Sequence, residues 1–139
     1  MRSAGRALAY GLLGWCIEIV FTALQDQVRG KGDRRLEGRS YLWMPPVYAA
    51  GGLACEAVAA AARRRPWWQR AVAHAVACFA VEYGSGAAIR RAVGEAPWDY
   101  SAYKLNVNGL IRLDYLPAWA ACGLAVERIA PLLKRVRIE

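Results

Sequence analysis

Glu18, Glu56, Glu82 and Glu127 each stand as the sole acid in a stretch of mostly apolar residues. At the centre of a membrane-crossing helix an ionised carboxylate costs roughly 2.5–3.5 kcal/mol. Four uncompensated ones would cost on the order of 10 kcal/mol, comparable with the stability of a whole fold. They must therefore face one another, be protonated, or hold a cation. Basic partners inside the same stretches are scarce, Arg128 and His74 being the ones in view. An acid site of this kind suits a proton, a metal ion or an organic cation. The plainer reading is protonated glutamates bonding helix to helix, each contact worth about 0.6 kcal/mol.

Helical spacing groups these acids with small residues. His74, Cys78, Glu82 and Ser85 recur at i, i+4, i+8 and i+11, which makes one polar stripe. Gly11, Gly14 and Glu18 share a face, and Gly52 precedes Glu56 by one turn as Gly123 precedes Glu127. Such faces can converge on one lumen. The segment Arg90–Arg112 adds Pro97-Trp98-Asp99-Tyr100-Ser101 and Asn106-x-Asn108-Gly109. Irregular backbone at membrane depth must be buried in protein or meet water, so this segment reads as a lid or re-entrant loop. The candidate binding set is Glu18, Glu82, Glu56 and Glu127 with Asp99, Tyr100, Asn108 and Arg112. Glu18 and Glu82 are expected to face each other, capped by Asp99 and Asn108.

No catalytic residue, metal centre or cofactor is expected. HExxH, HxxxH and DxxD-type motifs are absent, as is a nucleophile–base constellation. Cys16, Cys55, Cys78 and Cys122 fall one per apolar stretch without CxxC spacing, and read as packing residues. His74 reads as a satisfied interfacial histidine.

The elements that must position these groups are apolar windows at 7–25, 43–62, 71–89 and 114–133. Each is long enough, at about 1.5 Å per residue, to cross about 30 Å of hydrocarbon. The chain is 57% hydrophobic yet 22% charged, with mean hydropathy +0.13, because its charges are bunched between the windows. A soluble bundle would need a charged outer stripe on each helix, and Ala7–Thr22 has none. Nor does the N-terminus fit a signal peptide: Leu8–Leu24 is long, contains Glu18 and lacks a small-residue cleavage pattern.

Leu42–Glu56 recurs as Leu113–Glu127, with eight of fifteen positions identical at an offset of 71. Trp15-x-Ile17-Glu18 is echoed by Phe79-x-Val81-Glu82 at an offset of 64. The expected fold is therefore all-α and integral to the membrane, one domain over 1–139. Its four transmembrane helices form two parallel two-helix repeats, 7–65 and 71–136, about a pseudo-twofold axis along the membrane normal. Both termini then share a side with Arg63–Arg65 and Arg70. Ten basic residues, Arg2 and Arg137 included, lie there against nine opposite, and the compact arginine runs favour cytoplasmic termini in the plasma (inner) membrane. The net charge of +8 then reflects orientation and anionic lipid rather than nucleic acid.

Gly38-Arg39-Ser40-Tyr41-Leu42-Trp43-Met44-Pro45-Pro46-Val47-Tyr48-Ala49-Ala50-Gly51, Glu82-Tyr83-Gly84-Ser85-Gly86, Pro97–Ser101 and Asn106–Trp119 resemble the transmembrane protein 229 family and its bacterial relatives, the ABC-transporter type IV permease-like membrane proteins. The resemblance covers nearly the whole chain and implies a small multi-pass membrane protein. No GxxxxGK[ST] phosphate loop is present, so any ATP-driven role needs a separate ATPase subunit. The leading expectation is a transporter or permease-like component with an intramembrane acidic site for a cation, proton or amphiphile. The alternatives are a non-catalytic membrane scaffold, or a lipid-modifying enzyme using Glu82, Asp99 or His74 as acid–base groups. Expected partners are the lipid bilayer and either further copies of the chain or a separate subunit, with no nucleic acid.

Overall fold

A computed structural model describes residues 3–135. Arg2, Arg137 and the last position of the second repeat, 136, lie outside the described residues. Four helices carry the chain: α1 (Ser3–Val28), α2 (Met44–Ala61), α3 (Trp67–Val93) and α4 (Leu116–Arg135). Between α3 and α4 lie two short strands, β1 (Asn106–Val107) and β2 (Ile111–Arg112), and a 3-10 turn over Leu113–Tyr115. This hairpin amends the all-α expectation.

Both α1 and α3 outrun the windows read from apolarity, because no proline or glycine cluster stops them where the charges begin. Their 26 and 27 residues rise about 39 and 40 Å. Pro66 leads into α3, and Gly94, at φ +89, ends it with its amide on the Arg90 carbonyl, a left-handed cap. In α2, Pro45 and Pro46 occupy the first turn, where a missing amide hydrogen leaves no bond unmade. Pro131 lies inside α4 and withholds a hydrogen bond from the Glu127 carbonyl.

Three segments are long and apolar enough to cross a membrane: Ser3–Val28, Trp67–Val93 and Leu113–Arg135. Their exposed surfaces are greasy, with Leu8, Leu12, Ile17, Phe21 and Leu24 on α1 and Val72 and Val76 on α3. Buried instead are His74 and Glu82. Apolar outside and polar inside reverses the soluble pattern.

Helix α1 packs along α2, α3 packs along α4, and α2 lies against both α3 and α4. Half of α2 is Ala or Gly, which lets its neighbours come close. A Cβ on Gly52 would overlap the Tyr10 ring, and one on Gly123 would overlap His74. These two glycines set the approach of α1 to α2 and of α4 to α3.

Candidate functional site

The four glutamates fall into two layers with different surroundings. Glu18 and Glu82 lie at mid-helix. Glu18 accepts a hydrogen bond from Ser40 Oγ at 2.7 Å, and the Tyr48 hydroxyl lies beside it. Glu82 accepts from Tyr100 Oη at 3.2 Å and from Trp119 Nε1 at 3.2 Å. Tyr48 is close enough to feel the charge of both carboxylates. Among the described residues neither carries an ion pair. Every donor to them is neutral.

The connection between α1 and α2 brings Ser40 to Glu18 by folding back along α1. Thr22 Oγ1 bonds both the Arg39 carbonyl, at 2.9 Å, and the Arg39 amide, at 2.8 Å, and Arg39 also meets Asp26. The connection between α3 and α4 reaches Glu82 differently. Asn108 (φ +54) and Gly109 (φ +70) turn β1 back onto β2, pairing Asn106 with Arg112 and Val107 with Ile111. Two consecutive positive φ values suit Asn-Gly. The Tyr100 amide bonds the Gly109 carbonyl at 2.8 Å, and Trp98 Nε1 bonds the Leu110 carbonyl at 2.8 Å. So the irregular backbone is satisfied by protein, and Tyr100 points down at Glu82. Burial first, and the charge of Glu82 second, hold the Tyr100 phenol well above its ordinary pKa, which keeps it a neutral donor.

Glu56 and Glu127 are surrounded by cations instead. Arg6 Nε lies 2.9 Å from Glu56 Oε1, Tyr10 Oη donates to the same oxygen at 2.7 Å, and Lys134 Nζ is 3.5 Å from Oε2. Arg70 Nε lies 3.0 and 3.2 Å from the two oxygens of Glu127, and His74 Nε2 is 2.8 Å from Oε1. The expected shortage of basic partners therefore holds for the inner layer alone. Arg128 is exposed, and the arginine partners, Arg6 and Arg70, come from the first turns of α1 and α3, residues read from sequence as surface charge.

Of the other candidates, Tyr100 alone joins a glutamate. Asp99 is exposed and takes the Ser101 amide at 2.8 Å. Asn108 is exposed and donates to Tyr83 Oη at 2.8 Å. Neither caps the pair. Arg112 is buried against Tyr103, 3.6 Å from its ring centroid, and Tyr115, at 4.3 Å, and pairs with Asp114. Asp114 keeps this guanidinium above its ordinary pKa. It is the keystone of the loop, by cation–π stacking, and does not face the acids.

Sequence reasoning passed over Tyr48, Trp119, Ser40, Arg6, Arg70 and Tyr10. A signal was present for five of them. Arg6 and Arg70 are 64 apart, Tyr10 and His74 are 64 apart, and Tyr48 and Trp119 are 71 apart, the same offsets that relate the glutamates. Ser40 carries no such mark.

The family model described as "Putative ABC-transporter type IV" matches residues 7–138 of the chain. No solved structure matches it.

Proposed function

The chain belongs to that ABC-transporter type IV family, and from this premise we propose that it is a transporter-like membrane protein whose working site is the inner pair, Glu18 and Glu82. One observation carries the reading: the mid-helix glutamates have only hydroxyl and indole donors, while Glu56 and Glu127 are held by arginine. A carboxylate already neutralised by Arg6 or Arg70 has little to offer a substrate. Glu18 and Glu82, with Tyr48 close to both, present carboxylate and phenol oxygens beside aromatic rings, a setting that suits a cation. Either can take up a proton when the cation leaves, which is the least chemistry coupled transport needs. ATP, if used, is supplied by a separate subunit.

In this reading α2 is a fourth span, with both termini on the cytoplasmic face of the inner membrane. The helices form two parallel repeats. Support comes from contacts that repeat at the two offsets: Arg6–Glu56 with Arg70–Glu127, Tyr10 over Gly52 with His74 over Gly123, and Tyr48–Glu18 with Trp119–Glu82. The outer ion pairs then rivet each helical hairpin while the inner pair works.

Thermal unfolding of purified protein against metal cations, polyamines and lipids tests the assignment. A cation should stabilise the wild type, and Glu18→Gln and Glu82→Gln should each abolish that stabilisation and abolish uptake while leaving the fold intact. Variants that are more stable and fully active would make these glutamates structural, and a co-purifying partner protein would then favour a scaffold.

A further inference from the structure

Two thiols from different hairpins meet beside the His74–Glu127 pair. Cys55 of α2 and Cys78 of α3 place their Sγ atoms 3.6 Å apart. Cys55 is 2% exposed and His74 is fully buried. His74 Nε2 lies against Glu127 Oε1, which sets this nitrogen as the protonated one and leaves Nδ1 with a lone pair. Nδ1 has no hydrogen-bond partner among the described residues, and the ring borders the Cys55 thiol. A carboxylate orienting an imidazole whose other nitrogen is unbonded, with a thiol nearby, has the groups that activate a cysteine nucleophile. The second thiol is already in contact.

We propose that Cys55 and Cys78 are a redox-active dithiol, with His74 as proton acceptor and a bilayer-soluble quinone as the two-electron oxidant. The surroundings select that class of oxidant. Cys78 is half-buried at the middle of α3, one of the segments long and apolar enough to cross a membrane, so a charged, water-soluble disulfide would have to enter hydrocarbon to reach it. Cys78 Sγ adds to a quinone carbonyl carbon, and its thiol proton passes to the carbonyl oxygen. Cys55 gives its proton to His74 Nδ1, and its thiolate then attacks Cys78 Sγ. The sulfur–carbon bond breaks, its electron pair enters the ring, and His74 returns the proton to the resulting oxyanion. Two thiols and one quinone become one disulfide and one quinol. The sulfurs need only close to about 2.05 Å.

The product would staple α2 to α3, the junction between the two hairpins, and so oppose any movement of one against the other. This inference stands apart from the cation site, since neither Glu18 nor Glu82 takes part.

The test is to incubate reduced, purified protein without oxygen with a short-tailed, fully substituted benzoquinone, which thiols cannot permanently arylate. Quinol absorbance is followed alongside peptide mass mapping. One quinol per disulfide is expected, with Cys55 joined to Cys78. The Cys16→Ser/Cys122→Ser protein should behave as wild type. His74→Ala should slow the reaction at least about tenfold, the low end of what a positioned proton acceptor contributes, and Cys78→Ser should abolish it. Unreacted wild-type thiols would overturn the proposal, as would a bridge through Cys16 or Cys122 or an undiminished rate in His74→Ala.

Discussion

The hairpin α1–α2 and the hairpin α3–α4 hold their outer glutamates with the same skeleton and finish it with different chemistry. In the first, Arg6, the Tyr10 hydroxyl and Lys134 converge on Glu56. In the second, Arg70 grips both oxygens of Glu127 and an imidazole stands where the phenol stood. A phenol can satisfy a carboxylate and do little more near neutral pH. An imidazole satisfies it with one nitrogen and has a second to use. The first cluster ends on a phenol and on Lys134 of α4, and the second leaves His74 Nδ1 unbonded among the described residues, on the helix that carries Cys78. Contacts that recur in the two hairpins thus leave room for one half to remain a fastener while the other acquires reactivity.

Removing the arginines strains this comparison hardest. Arg70→Ala leaves Glu127 with His74 alone, and because the pair is half-buried the loss should fall short of the about 3–5 kcal/mol of a fully buried one. Arg6→Ala leaves Lys134 and Tyr10 on Glu56, so its loss should be smaller. Unfolding in detergent, titrated with a denaturing surfactant, ranks the two, and equal losses would mean that Lys134 contributes nothing. Gly52→Ala and Gly123→Ala come next. Each forces a methyl group into an aromatic ring, at about 1–3 kcal/mol by the same measurement. If one is harmless, Tyr10 and His74 do not play equivalent packing roles. Tyr10→Phe should cost about 1 kcal/mol, one hydrogen bond to a carboxylate that keeps its cations.

The smallest effect lies in the connection between α3 and α4. Hydrogen bonds from Ser101 hold the Asp99 carboxyl below its ordinary pKa. A carboxyl depressed on folding adds stability above its unfolded value, about 3.9, and that stability is lost as pH falls through the folded value. Protection of the Ser101 amide from hydrogen exchange should therefore decline as acid is added below about pH 4. Asp99→Asn should remove that dependence and leave the outer clusters of both hairpins untouched.

Apolarity and charge made much of this architecture legible in advance. The windows at 7–25 and 71–89 are the cores of α1 and α3, and those at 43–62 and 114–133 coincide closely with α2 and α4. Their ends were not legible, because a helix continues past the last greasy residue until backbone chemistry stops it, as Gly94 does for α3. That extra turn turns Arg6 and Arg70 from surface charges into partners of Glu56 and Glu127. Asn108-Gly109 was visible as a turn, but strands of two residues carry no alternation to read. The meeting of Cys55 with Cys78 had no sequence signal, since it depends on how one hairpin lies against the next. Tyr48 and Trp119 were hidden for a simpler reason: aromatic residues in an apolar window look like lipid contacts until a carboxylate is found against them.

The Arg6–Glu56 contact spans fifty residues of chain and bears on how the protein is made. Helix α2 emerges from the ribosome after α1, half Ala and Gly, with two prolines in its first turn and a glutamate near its end. Alone, such a segment carries a charge that oil rejects. Its counter-charge, however, has already been synthesised, on a helix greasy enough to enter by itself. Biogenesis is then best served by partitioning α1 and α2 together, the earlier helix chaperoning the later, and by repeating that event with Arg70 and Glu127.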